Sequence, residues 1–409
     1  MRVLLVSVGT VGDTLPFVGL GQELRQRGHE VTFLGSGPFR HLADAAGIEF
    51  GELISVAEHL RETEQRRRWG NGLVAMREGL ANLLRDVRTT YRAIEMRNEP
   101  GRTVLVASGL MFGARIAQEK LGVPLATMHL QPACFRGEDE PFTSSSWLGK
   151  AANAGNYWLA DQVANTFLAG PINRFRAELG LPKARKIMGG WWNSPQLVLG
   201  AFPSFLAPKR ERWPAEVRFA GFPLYHGVST FDEEERLAAY LVRGESPLVF
   251  CPTSAVRDVR QFVRHSIDTA DALGRRAIVL TPHVEHLPQV LPRGVEHFRF
   301  VPHERILPHA AALIHNGGIG TAAAALAAGI PQLIVPCILD QFDNARRLKH
   351  LGVAEVVKSK SYDRARCWAA LNSLLANPSV AARCEHFAVA CRQHQGLATM
   401  ADAVESLRP

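Results

Sequence analysis

Short apolar runs alternate with helix-period stretches along the whole chain. In the first half they fall at residues 3–8, 31–34, 103–107, 124–128 and 197–202; in the second, at 247–251, 277–281, 296–301, 312–315 and 332–335. Near-continuous runs of this length predict strands covered on both faces, the habit of parallel sheets. Between them lie amphipathic stretches such as Phe17, Leu20 and Leu24, spaced for one helix face, with Gly28 closing the stretch. The alternation predicts an α/β chain built from βαβ units. At 409 residues it suits two domains, 1–205 and 232–385. Pro203, Pro208, Pro214 and Pro223 mark residues 206–231 as the linker, and residues 386–409 read as a C-terminal helix that packs back on the first domain.

Two turns carry candidate chemistry. After the run at 312–315 come Asn316, Gly317, Gly318, Ile319, Gly320 and Thr321, then an alanine- and leucine-rich helix to about Ala328. A strand, a glycine turn and a helix start let a backbone approach a ligand and present unpaired N–H groups, which suits a diphosphate. Asp340 and Gln341 follow the next strand, and polar groups at the carboxyl ends of neighbouring parallel strands share one crevice. The first turn, residues 9–14, holds Asp13 before a helix expected from Leu15 or Pro16. Asp13 reads as a helix-capping carboxylate, as a general base, or as both. No Gly-x-Gly-x-x-Gly is present there, and Gly35-Ser36 stand where an acidic residue would end the second strand, so an NAD site is disfavoured. His129 and Gln131 end another strand, His129 as a structural histidine or an acceptor contact. Trp191 and Trp192 line an apolar pocket or the core, and Ser254 contacts phosphate or braces a turn.

Composition narrows the classes. The chain is 46% hydrophobic and 21% charged, with a net charge of +8 that favours anionic partners. No nucleic-acid motif accompanies that charge. The six cysteines form no Cys-x-x-Cys pair and read as reduced thiols of a cytoplasmic protein. No apolar run is long enough to span a membrane, and residues 1–8 read as a first strand rather than a signal peptide. The arginine-rich stretch 58–97 is a solvated helix face or a peripheral contact with an anionic membrane.

His315-x-Gly-Gly-x-Gly-Thr321 paired with Pro336-x-x-x-Asp-Gln-x-x-Asn344 resembles the donor signature of glycosyltransferase family 1, which has the GT-B fold. The resemblance spans nearly the whole chain. The first turn, Gly9-x-x-Gly-Asp-x-x-Pro16, is similar to that of the bacterial branch containing sterol, glycopeptide-antibiotic and rhamnolipid-type rhamnosyl transferases. It implies two Rossmann-like domains facing across a cleft. It further implies inverting transfer of a hexosyl or deoxyhexosyl (rhamnosyl-like) group from a dTDP- or UDP-sugar to a small apolar hydroxylated acceptor, with no metal or other cofactor. By position, Asp13 is the base. His315, Gly317, Gly318, Gly320, Thr321 and Ser254 take the diphosphate, Phe300, Val301 and His303 the nucleotide base, and Asp340 and Gln341 the sugar. Met111, Phe112, His129 and Gln131 fall on the acceptor side. Phe300, Thr253-Ser254 and Asn316 depart from the commoner residues and leave the nucleotide open. The rivals are an epimerase or lipid-linked transferase on the same fold, the former disfavoured by Asp340-Gln341, and a catalytically silent homologue that activates a partner enzyme. A silent protein would be expected to lose Asp13 or His315.

Overall fold

The computed structural model describes residues 1–67, 72–135, 149–211, 213–225, 231–252, 259–338 and 340–408. The chain forms two compact α/β units. One comprises Met1–Ser204, Pro208–Tyr225 and Gly396–Pro409; the other, Phe205–Ala207 and His226–Gln395.

In the first unit β1 (Arg2–Val6), β2 (Glu30–Ser36), β3 (Glu49–Ile54), β4 (Thr103–Ser108), β5 (Leu125–His129), β6 (Leu197–Gly200) and β7 (Val217–Phe219) form one sheet. Their order is β3-β2-β1-β4-β5-β6-β7, and every neighbouring pair is parallel. Val3 and Leu5 pack into a core with Phe17, Leu20 and Leu24 of the helix Val11–Gln26. Leu4 and Val6 enter a second core with Tyr91, Ile94 and Phe112. Both faces are covered, which is why the run is apolar at every position.

The second unit repeats the plan. β8 (Leu248–Cys251), β9 (Ala277–Leu280), β10 (Val295–Phe298), β11 (Ala312–His315), β12 (Gln332–Ile334) and β13 (Ala354–Val356) lie in the parallel order β10-β9-β8-β11-β12-β13. The strand order reverses between β1 and β4 in one sheet and between β8 and β11 in the other. Ligand crevices of doubly wound sheets open at such switch points, beyond the carboxyl ends of the strands. The turn leaving β1 and the turn leaving β11 both stand there. Among the described residues no helix is long and apolar enough to cross a membrane.

Several expectations need correction. The span 206–231 is not a plain linker: residues 205–207 belong to the second unit, and β7 adds a seventh strand to the first sheet. Its prolines flank an edge strand rather than a coil. The C-terminal segment is not one helix from residue 386. Pro378–Gln393 belongs to the second unit, and only Gly396–Glu405 packs on Val11–Gln26. Met400, Ala401, Val404 and Leu407 enter the first unit's core. Arg27 fastens the helix ends with Nη1 to Asp402 at 2.5 Å and to Glu405 at 3.0 Å, while His29 Nε2 meets Glu405 Oε1 at 2.7 Å.

Gly396 starts this returning helix where a Cβ would overlap the carbonyl of Phe222. Gly396→Ala is therefore expected to lower stability by about 1–3 kcal/mol, the usual range for overpacking. Gly155→Ala, whose Cβ meets nothing within 4 Å on an exposed helix, serves as the neutral control in urea unfolding. Equal midpoints for the two variants would refute the close approach.

Candidate functional site

The helix after β1 begins at Val11, with Thr10 as N-cap, earlier than the expected start at residue 15 or 16; Pro16 lies inside it. Asp13 is consequently its third residue. Its Oδ2 accepts from the Thr10 backbone N–H at 2.8 Å and from the Thr10 hydroxyl at 2.9 Å. This carboxylate serves the reverse half of a capping box. Oδ1 has no hydrogen-bond partner among the described residues, and the side chain is partly exposed. Gly9 makes the placement possible, because at φ +144° a Cβ there would overlap the Asp13 carboxylate. The result is a carboxylate fixed by one oxygen and available through the other.

The expected acceptor-side residues divide. Met111 and Phe112 are core residues, 4% and 1% exposed, so their side chains serve packing rather than ligand contact. His129 is also buried, its Nε2 2.7 Å from Asn193 Oδ1 and its ring 4.6 Å from that of Trp192. Burial pushes its imidazole down to about 4, so it stands neutral and structural. Only Gln131 is partly exposed. Trp192 is a core residue, and Trp191 donates to Glu119 Oε1 at 2.9 Å.

In the second unit the turn leaving β11 is organised around one peptide. The Gly317 N–H donates to His315 Nδ1 at 3.1 Å, and the Gly317 carbonyl accepts from Asn344 Nδ2 at 2.9 Å. Because His315 Nδ1 accepts, its proton lies on Nε2, which donates to Gln332 Oε1 at 3.0 Å. His315 is 1% exposed, with its imidazole pushed down to about 4 by burial. Both ring nitrogens are thus engaged inside the protein, and the expected contact of His315 with a diphosphate is corrected: the residue braces the turn.

Gly317 needs φ +90°, and a Cβ there would stand 3.0 Å from Ile334 Cγ2 and 3.1 Å from the Gln341 carbonyl. Gly318 and Gly320 differ, since added Cβ atoms would meet nothing within 4 Å. Their smallness answers no packing demand of the protein. It leaves space at the start of the helix Ile319–Ala328, whose N-cap is Gly318 and which has no side-chain cap. The first N–H groups of that helix, with Thr321 partly exposed in its first turn, form a ready anion site.

Asn344 Nδ2 also donates to Asp340 Oδ2 at 3.0 Å, tying Asp340 to the same turn. Gln341 is buried, and its Oε1 accepts from the N–H groups of Cys337 at 2.9 Å and Ile338 at 3.2 Å. Its Nε2 has no partner among the described residues. Of the segment expected at the nucleotide base, Phe300 is 44% exposed, whereas Val301 is buried in the core, correcting its side-chain contact. His303 is half-buried, with Nε2 3.9 Å from Cys251 Sγ and its pKa lowered by burial. Ser254 lies outside the described residues. Gln332, absent from the expected set, and Asn344, present there only as part of the motif, brace this turn. The signal for Gln332 was an amide inside the apolar run 330–335.

Comparison with known proteins places the chain. Residues 3–135 match the glycosyltransferase family 28 N-terminal domain, and residues 267–394 match the erythromycin biosynthesis protein CIII-like C-terminal domain. The chain is 24% identical to O-mycaminosyltylonolide 6-deoxyallosyltransferase of Streptomyces fradiae, over 97% of this chain and 95% of that protein. The solved glycosyltransferase of kitacinnamycin aligns with a TM-score of 0.75 at 20% identity, over 100% of this chain and 99% of that one. A spinosyn rhamnosyltransferase complexed with thymidine diphosphate aligns at 0.71 and 20%, over 99% and 100%.

The two buried imidazoles set a pH dependence. Their native pKa values lie below the unfolded value of about 6.5, so the unfolded chain takes up protons first. The stability they contribute is complete above about pH 6.5 and is lost as pH falls towards about 4, on the order of 3 kcal/mol for each. Urea unfolding at stepped pH is expected to show this decline, and His129→Gln should flatten part of it. A flat wild-type profile through that window would mean that neither imidazole is held neutral.

Proposed function

We propose, from the premise that the chain is a GT-B glycosyltransferase of the bacterial secondary-metabolite branch, that it moves a hexosyl or deoxyhexosyl group from a dTDP- or UDP-sugar to a hydroxyl of a small apolar acceptor, inverting the anomeric carbon without a metal. The observation that carries this reading is the uncapped helix start at Gly318, with open space at Gly318 and Gly320. The thymidine diphosphate complex of the spinosyn rhamnosyltransferase supports a nucleotide-sugar donor. Exposed Leu60, Trp158, Leu159 and Phe167 in the first unit support an apolar acceptor.

In this reaction Asp13 Oδ1 takes the proton of the acceptor hydroxyl while the acceptor oxygen bonds to the anomeric carbon. The bond from that carbon to the diphosphate oxygen breaks, and its electron pair leaves with the nucleoside diphosphate. Negative charge grows on the departing group, and the N–H groups of residues 319–321 meet it without rearranging. Asp340 and the Gln341 amide nitrogen hold sugar hydroxyls, and Phe300 offers its exposed ring to the base. His315 acts only through the Gly317 peptide.

Asp13→Asn is expected to bind dTDP or UDP as the wild type does, within about twofold, and to lose about 10²–10⁴ in kcat. Unchanged turnover would remove Asp13 as the base. Gly318→Ala is expected to weaken nucleotide binding at least about tenfold, because a helix-start anion site needs close backbone approach. Its unfolding midpoint should not move. Wild-type affinity in that variant would place the diphosphate elsewhere. If no nucleoside diphosphate or nucleotide sugar stabilises the wild-type protein, the donor reading fails and a silent homologue replaces it.

A further inference from the structure

The second sheet has another feature at its opposite edge. All its strands are parallel, so the amino ends of β9 and β10 lie away from the turn that follows β11. A cavity of about 220 Å³ stands at those amino ends, lined by Arg275, Arg276 and Arg293 together with Asp271 and Gly294. Arg276 is immobilised. Its Nε donates to the Glu245 carbonyl at 3.1 Å, its Nη1 to the Tyr240 carbonyl at 2.7 Å, and its guanidinium lies 4.3 Å from the centre of the Tyr240 ring. Its remaining nitrogen, Nη2, is shielded from solvent and has no hydrogen-bond partner among the described residues. The side chains of Arg275 and Arg293 make no hydrogen bond or ion pair among the described residues, and Asp271 is bridged to none of the three arginines.

The helix Arg260–Ala272 ends beside this cavity, and cations at a helix carboxyl end complement its dipole. That accounts for the charge of Arg275. It does not account for Arg293, which approaches β10 and has no partner among the described residues. Three guanidinium groups against one carboxylate leave the lining cationic, and guanidinium forks match phosphate oxygens. The cavity is smaller than the roughly 300–1,000 Å³ of sites that enclose drug-sized ligands. We infer that this cavity binds a small dianion, inorganic phosphate or a compact phosphomonoester, at a site separate from the donor turn.

Calorimetric titration of the full chain with phosphate and with glycerol phosphate, at constant ionic strength against chloride, tests this. Saturable binding is expected, weakened at least tenfold in Arg275→Gln/Arg293→Gln and unchanged in Gly318→Ala. Tighter binding of the ester would identify a phosphorylated metabolite as the ligand class, and tighter binding of phosphate the free ion. Equal affinity in wild type and double variant, no binding beyond the chloride control, or loss of binding in Gly318→Ala would each overturn the inference. Should the double variant unfold, Arg293→Gln alone is judged by the same tenfold criterion.

Discussion

The second unit's candidate site depends on how a single peptide is held. The Gly317 N–H is claimed by the strand before it, through His315, and the Gly317 carbonyl by the helix beyond the next strand, through Asn344. Both bonds are buried, where a hydrogen bond is stronger than in water and a missing one is more costly. The rest follows in sequence. A φ of +90° requires glycine, an accepting Nδ1 requires a neutral His315, and its Nε2 proton requires the buried carbonyl of Gln332. The second proton of the Asn344 amide reaches Asp340, so this carboxylate is set by the same amide that sets the turn.

The first unit uses a glycine for a related purpose. At Gly9 the missing side chain makes room for a protein carboxylate; at Gly318 and Gly320 it makes room beside exposed backbone. In both sheets the chain leaves the central region of a doubly wound layout, where flanking loops diverge. The capping bond to Asp13 and the bracing bond to His315 are stabilising in themselves. They also leave neighbouring groups unengaged by side chains among the described residues, Oδ1 in one case and helix N–H groups in the other.

Much of this layout was legible in the residues. Continuous apolar runs located the central strands, and the two glycine turns stand at the switch points of their own sheets. What escaped depended on weak local patterns or on register. β3 carries exposed glutamates at positions 49 and 52, β13 has only three residues, and β7 is hidden among prolines. His315 looked like a phosphate contact because its partner sits on another strand. Leu313 is opposite Gln332 in the β11–β12 pairing, which puts Gln332 diagonal to His315 on one face. A single sequence does not display that register. Met111, Phe112 and Val301 were likewise misread, since strand-end position does not say whether a side chain turns into the core.

The helix Gly396–Glu405 has a consequence for how the protein is made. Domains emerging from the ribosome usually fold in order, amino-terminal first. Here Met400, Ala401, Val404 and Leu407 fill part of the core beneath the first helix of the chain. The first unit must therefore wait, incomplete and with apolar surface uncovered, while the whole second unit is synthesised. Its final packing step follows synthesis of the whole second unit, and the helix Gly396–Glu405 is a folding element of the first unit rather than a segment to be trimmed freely.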